Sequence, residues 1–160
     1  MKILLISISC PPKSDPESIQ VGRYLKYLVQ SEHSIEVLTS TNPTLYMETD
    51  EYLKKYLKGV SKVHYKKLIE NRYLNFIIRK IFPSLLQYPD PKWSFFCFSH
   101  PNLKKPDLIY SRSYPLSSTL MALKLKKKWN VPWILHLSYP WAISYDGTSP
   151  ATKFNKRSRK

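Results

Sequence analysis

The first 40 residues constrain the fold more than any other stretch, because they carry a strand, a loop, a helix and a second strand in succession. Ile3-Leu4-Leu5-Ile6 is a continuous apolar run that gives way to Pro11-Pro12. Such a run suits a strand buried on both faces at the centre of a parallel sheet. From Ser18 onward Val21, Leu25, Leu28 and Val29 recur at i, i+4, i+7 and i+8. This is one face of a helix, and Glu17 stands where a carboxylate meets the positive helix end. Ser34-Ile-Glu-Val-Leu-Thr-Ser40 then alternates in a stretch rich in β-formers, which completes a βαβ unit.

The rhythm continues less cleanly. Lys62-Val-His-Tyr65 predicts a third strand, Asp107-Leu-Ile-Tyr-Ser111, entered through Pro106, a fourth, and Pro132-Trp-Ile-Leu-His-Leu137 a fifth. Leu116, Leu120 and Leu123 mark a helix face between the last two, with Lys124, Lys126, Lys127 and Lys128 at its C-terminal end. Cations complement the dipole there and form a solvated face. Strands alternating with helices predict an α/β fold, a Rossmann-like doubly wound parallel sheet, whose ligands sit beyond the carboxyl ends of the strands. The loops of interest are therefore Ser9 to Ser18, Arg112 to Leu116 and Ser138 to Tyr145. Residues 44–100 are Tyr- and Lys-rich with poor periodicity, apart from an amphipathic stretch from Tyr73 to Leu86 interrupted by Pro83.

A chain of 160 residues fits one domain of this kind. The expected division is a Rossmann-like domain over 1–142 and a basic, disordered tail over 143–160, which is nearly free of apolar residues from Ser144. Lys and Arg number 26 against 11 Asp and Glu, a balance of +15. Such a field favours polyanions or an anionic membrane surface over neutral partners. Cys10 and Cys97 lack CxxC spacing and have no His at metal-ligand spacing, so reduced thiols in a cytoplasmic protein and no metal site are expected. The apolar run Ile3 to Ile8 spans six residues with Ser7 among them. It is too short for a secretory core, and no stretch approaches the roughly 20 apolar residues that span a bilayer.

Three segments carry a family resemblance. Met1-Lys-Ile-Leu-Leu-Ile-Ser7 followed by Pro11-Pro12-Lys13 resembles the opening of family 4 GT-B glycosyltransferases, retaining enzymes that use a nucleotide sugar. Ser34-Ile-Glu-Val-Leu-Thr39 is similar to their second strand, with Glu32-His33 where a Gly-His pair is usual. Pro106-Asp-Leu-Ile-Tyr-Ser-Arg-Ser-Tyr-Pro115 through Pro140-Trp141 resembles the fourth strand, helix and fifth strand of a subgroup of the family whose chains read Ser-Asp-Pro-Trp near that point. The resemblance covers about residues 1–142 and implies one half of a GT-B fold, the half that mainly holds the acceptor. A second Rossmann-like domain of the family holds the nucleotide sugar and contributes a paired-glutamate motif. Two departures bear on catalysis. Ser14-Asp15-Pro16-Glu17-Ser18 fills a first loop that commonly carries a Gly pair, and Ser138-Tyr139 stands where the family places a carboxylate after strand five.

The candidate acceptor residues are Ser14, Asp15, Glu17, Arg112, Ser113, His136 and Ser138. Arg112 could pair with an acceptor phosphate through its planar fork, or be a surface arginine. His136 could bond a sugar hydroxyl or be a satisfied histidine on a strand face. Asp15 and Glu17 could bond sugar hydroxyls, or shape the turn before Pro16 and support helix one. Arg72, Phe76, Ile77, Arg79, Lys80, Ile81 and Phe82 form a basic, apolar segment suited to an anionic membrane surface.

The expectation is an acceptor-side half of a retaining, nucleotide-sugar-dependent transferase, in cell-surface polysaccharide or glycolipid synthesis. It is expected to be cytoplasmic, peripheral on the inner face of the membrane, and inactive alone. No cofactor is expected in this chain, a nucleotide sugar only with a second domain, supplied by a separate donor-binding chain or missing from a truncated one. The partners would be that chain, a sugar or lipid-linked sugar acceptor and the membrane. The alternatives are a non-functional truncated fragment or a small basic nucleic-acid-binding protein. The latter rests on charge alone, without a zinc finger, an RNP pattern or a GxxG loop, so nucleic acid is not an expected partner.

Overall fold

The five apolar segments assemble into one sheet in a computed structural model, which describes residues 1–41, 48–69, 71–81, 95, 102–113 and 116–138. Residues 72, 75, 78, 79 and 116 are described by their backbone alone. The elements are β1 (Lys2–Ile6), α1 (Pro16–Gln30), β2 (Ser34–Ser40), a 3-10 helix (Glu51–Leu57), β3 (Lys62–Lys66), α2 (Arg72–Ile81), β4 (Leu108–Arg112), α3 (Leu116–Trp129) and β5 (Trp133–His136). The strands pair in parallel in the order β3-β2-β1-β4-β5. The α/β, Rossmann-like sheet expected from the sequence is what the chain forms.

Both faces of β1 are buried, which explains its unbroken apolar run. Ile3 and Leu5 pack with Val21 and Leu25 of α1 and with Ile35 and Val37 of β2. Leu4 and Ile6 face the other way, onto Leu38, Ile109 and the α3 residues Met121, Ala122 and Leu125. Each such Leu or Ile contributes about 1.5–3 kcal/mol by leaving water, so the centre of the sheet holds the two outer layers together. Trp129 and Trp133 are partly buried against the α3-side cluster.

Helix α1 begins two residues before the expected Ser18, because Asp15 caps it. The Asp15 carboxylate accepts from the Ser18 amide at 3.1 Å, and Pro16 occupies the first turn, a position where proline's missing donor costs nothing. On α3 the buried residues are Ser117, Ser118, Met121, Ala122 and Leu125, whereas Leu120 and Leu123 are half-buried. The expected face is therefore rotated. Ser118 Oγ accepts from the Ile8 amide at 3.1 Å, so a residue that reads as polar in the pattern satisfies a buried backbone donor.

The 3-10 helix had no counterpart in the sequence reading. Asp50 caps it, accepting from the Tyr52 amide at 2.9 Å, and its Tyr56 ring lies where a Cβ on Gly22 of α1 would stand, 2.9 Å away. At the β2–β3 edge, Glu36 accepts from Lys2 Nζ at 2.8 Å and lies 2.8 Å from His64 Nε2. Burial works to raise the Glu36 pKa, but the contacts with Lys2 and His64 outweigh it and hold the carboxyl below its usual range.

The fourth strand is shifted by one residue relative to expectation and the fifth is trimmed by one residue at each end. Arg112 and His136 are the last residues of β4 and β5 and pair with one another in register. The tail beyond residue 142 lies outside the described residues. Among the described residues no helix is long and apolar enough to cross a membrane.

Candidate functional site

Strand order reverses between β1 and β4. In open α/β sheets, the loops leaving the carboxyl ends of two such strands diverge and leave a crevice. The polar residues gathered there come from α1 and from the ends of β4 and β5.

Side-chain alternation decides which of them meet. Tyr110 and Arg112 share one face of β4, and Tyr110 packs against the α1-side cluster; Ser111 points the other way and accepts from Trp133 Nε1 at 2.8 Å. Arg112 thus reaches α1. Glu17, Gln20 and Tyr24 stand at i, i+3 and i+7 of that helix, so they form one stripe. Arg112 Nε donates to Glu17 Oε1 at 2.6 Å and Nη2 to Gln20 Oε1 at 2.6 Å, while the guanidinium carbon lies 5.2 Å from the centre of the Tyr24 ring. The Arg112 side chain is 0% exposed and that of Glu17 8%. Burial alone would lower the guanidinium's pKa, but its contacts with Glu17 and Tyr110 outweigh that and shift it upward.

Serines join this pair to the two strand ends. Ser138 Oγ donates to Glu17 Oε1 at 2.9 Å, and the Ser138 amide to Ser113 Oγ at 2.9 Å. The Ser113 amide in turn donates to the His136 carbonyl at 2.9 Å. The His136 ring is half-buried, edge-on to Tyr24 at 5.6 Å and 6.4 Å from Tyr110. Burial and then the Arg112 cation push its pKa down against the pull of Glu17, which favours the neutral imidazole, able to donate from one nitrogen and accept at the other.

Five of the seven candidate acceptor residues, Glu17, Arg112, Ser113, His136 and Ser138, therefore form one connected group. The other two do local work. The Ser14 hydroxyl and amide both donate to the Glu48 carbonyl, at 3.0 and 2.9 Å, and Asp15 caps α1. Among the described residues, one buried oxygen of Asp15, Oδ2, has no hydrogen-bond partner, and neither has Arg112 Nη1. Arg112 does not stand open as a surface arginine or as a free fork for phosphate, since two of its three nitrogens are engaged inside the protein.

A second polar centre lies at the ends of β1 and β2. Lys13 is buried, and its Nζ donates to the Ile8 carbonyl at 2.5 Å and to Ser40 Oγ at 2.6 Å. Thr39 Oγ1 donates to the same Ile8 carbonyl at 3.0 Å, so Ile8 ties the chain after β1 to β2 through its carbonyl and to α3, at Ser118, through its amide. Cys10 beside it is a free, fully buried thiol, and burial pushes its pKa up to about 12 despite the attraction of Lys13. Such a thiol is inert as a nucleophile.

The sequence reading missed Lys13, Gln20, Tyr24 and Tyr110. Gln20 and Tyr24 recur with Glu17 at helical spacing and Tyr110 alternates with Arg112, which were the available signals. Of the membrane-surface candidates, Phe76, Ile77, Lys80 and Ile81 are exposed on α2. Phe82 and the side chains of Arg72 and Arg79 lie outside what is described. Lys124, Lys126, Lys127 and Lys128 are exposed on α3. Among the described residues no three of His, Cys, Asp and Glu gather to hold a metal ion. No protein-family model matches the chain, and no curated protein matches it, so the reading of this site rests on its geometry and on its sequence.

Proposed function

We propose that the chain is the acceptor-side domain of a retaining, nucleotide-sugar-dependent glycosyltransferase of polysaccharide or glycolipid synthesis, and that it holds a sugar acceptor over the ends of β1, β4 and β5. The observation that carries this reading is the convergence of Glu17, Ser113, His136 and Ser138 beside the Tyr24 and Tyr110 rings at the strand-order reversal. A few fixed polar groups against an apolar, aromatic wall are what a small-molecule crevice uses to orient its ligand. A neutral imidazole and serine hydroxyls both donate and accept, which suits sugar hydroxyls. Arg112 acts in this account as the holder of Glu17 and not as a clamp on phosphate.

The nucleotide sugar belongs to a separate domain or chain. The described strands make a single Rossmann-like sheet, and transfer requires donor and acceptor to be positioned together. The purified 160-residue chain should therefore give no transfer when incubated with radiolabelled UDP- and GDP-sugars and a membrane lipid extract. Labelled product that depends on the folded chain would sink the acceptor-half reading.

A further inference from the structure

The apolar face of α2 looks outward. At 3.6 residues per turn, Phe76, Lys80, Tyr73, Ile77, Ile81 and Leu74 occupy one continuous arc of about 160° around the helix. Every one of these side chains is exposed: Tyr73 82%, Ile81 61%, Phe76 59%, Ile77 47% and Leu74 41%, with Lys80 exposed beside them. Positions 72, 75, 78 and 79 fill the opposite arc and read Arg, Asn, Ile and Arg. A helix normally buries its apolar stripe in the core, and a contiguous apolar patch left in water marks an interaction surface.

Charge and shape point to one occupant. From Asn71 to Ile81 the chain has three cations and no Asp or Glu, within a protein of net charge +15. The Lys80 ammonium lies 4.9 Å from the Phe76 ring centre, so its aliphatic stem runs over the apolar arc and its charge sits at the margin, as a lysine does at a lipid headgroup boundary. The ten residues of α2 are about 15 Å long, too short to span a bilayer but suited to lying in its interface with the apolar face down.

We propose that α2 is an interfacial anchor that docks the protein on an anionic lipid surface, inserting Phe76, Ile77 and Ile81 among the acyl chains while Lys80 stays at the headgroups. The anchor goes beyond the transferase reading and stands without it, because it concerns a different face of the protein and a different ligand.

Sedimentation of the full chain with phosphatidylcholine vesicles, and with the same vesicles carrying phosphatidylglycerol, tests it. Lys80, the one cation on the exposed arc, gives partitioning on the order of fivefold stronger into the anionic vesicles, weakened by added salt. The double variant Phe76→Ser with Ile77→Ser leaves net charge and core unchanged and should lose most of that binding, at an unaltered melting temperature. In Phe76→Trp, emission should shift to the blue with anionic vesicles alone. Equal binding to both vesicle types at low salt, or full binding by the double serine variant, would overturn the proposal. So would concentration-dependent self-association abolished by those serines in a chain that ignores lipid, which would assign the face to a second copy.

Discussion

Replacing Arg112 with Ala should cost about 3–5 kcal/mol of stability, the usual result of breaking a buried ion pair by removing one partner. For a chain of this size that lowers the melting temperature by roughly 6–20 °C. The loss arises mainly from what is left behind. Glu17 is nearly buried, and without Arg112 its carboxylate keeps only the Ser138 hydroxyl as a described side-chain donor, so its desolvation goes uncompensated. Arg112→Lys should recover little, because a single ammonium cannot reproduce bonds from Nε to Glu17 and from Nη2 to Gln20. Arg112→Met combined with Glu17→Leu should be much closer to the native protein than either single change, since removing both charges removes the penalty. Denaturant unfolding reads all three. A loss under about 1 kcal/mol for Arg112→Ala would show a solvated pair of the kind found on surfaces. An Arg112 that paired with acceptor phosphate or lay on the surface would leave the melting temperature nearly unchanged on removal, and its burial reverses that expectation.

The second large effect is expected at Gly59, in the turn between the 3-10 helix and β3. Its φ of +86° suits glycine, and a Cβ there would stand 2.5 Å from Val29 Cγ1 of α1. Valine combines both difficulties, since a β-branched residue resists positive φ and its bulk must displace a neighbour that is stiff at χ1. Gly59→Val should destabilise by about 2–4 kcal/mol, whereas Lys58→Val beside it, at φ −64°, should change little. Urea unfolding of the two variants separates them. Equal stabilities would mean that the turn relaxes freely and that α1 is not held against the 3-10 helix at this point.

The order of elements was legible because β1, α1 and β2 each bury an unambiguous pattern. Ile3 to Ile6 serve two clusters at once, and a strand with no polar alternation has few other uses. The site was legible only in part. That Arg112 and Ser138 mattered could be read from their place after predicted strands, but Glu17 lies 95 residues from Arg112 in sequence. Only the parity of β4 and the pitch of α1 bring them together. Lys13 gave no sign of its role, because nothing local reveals that Ile8 and Ser40 close over it. The buried face of α3 was hidden, because Ser117 and Ser118 look solvated but are buried, whereas Phe76 and Ile77 of α2 read as a surface segment and are exposed. A periodic pattern fixes that a helix has two faces, and the tertiary structure decides which one meets water.

The central claim, a sugar-acceptor crevice over β1, β4 and β5, is tested most directly by two-dimensional amide NMR of the labelled chain titrated with simple methyl glycosides and disaccharides, and separately with UDP- and GDP-sugars. The account predicts saturable shifts from glycosides at the amides of Ser113, His136 and Ser138 and of Glu17 to Gln20, with the side-chain amide of Gln20 among them. Nucleotide sugars should move these amides no further than their sugar moiety alone does. Shifts driven by the nucleotide, or glycoside shifts confined to other faces of the protein, would contradict it.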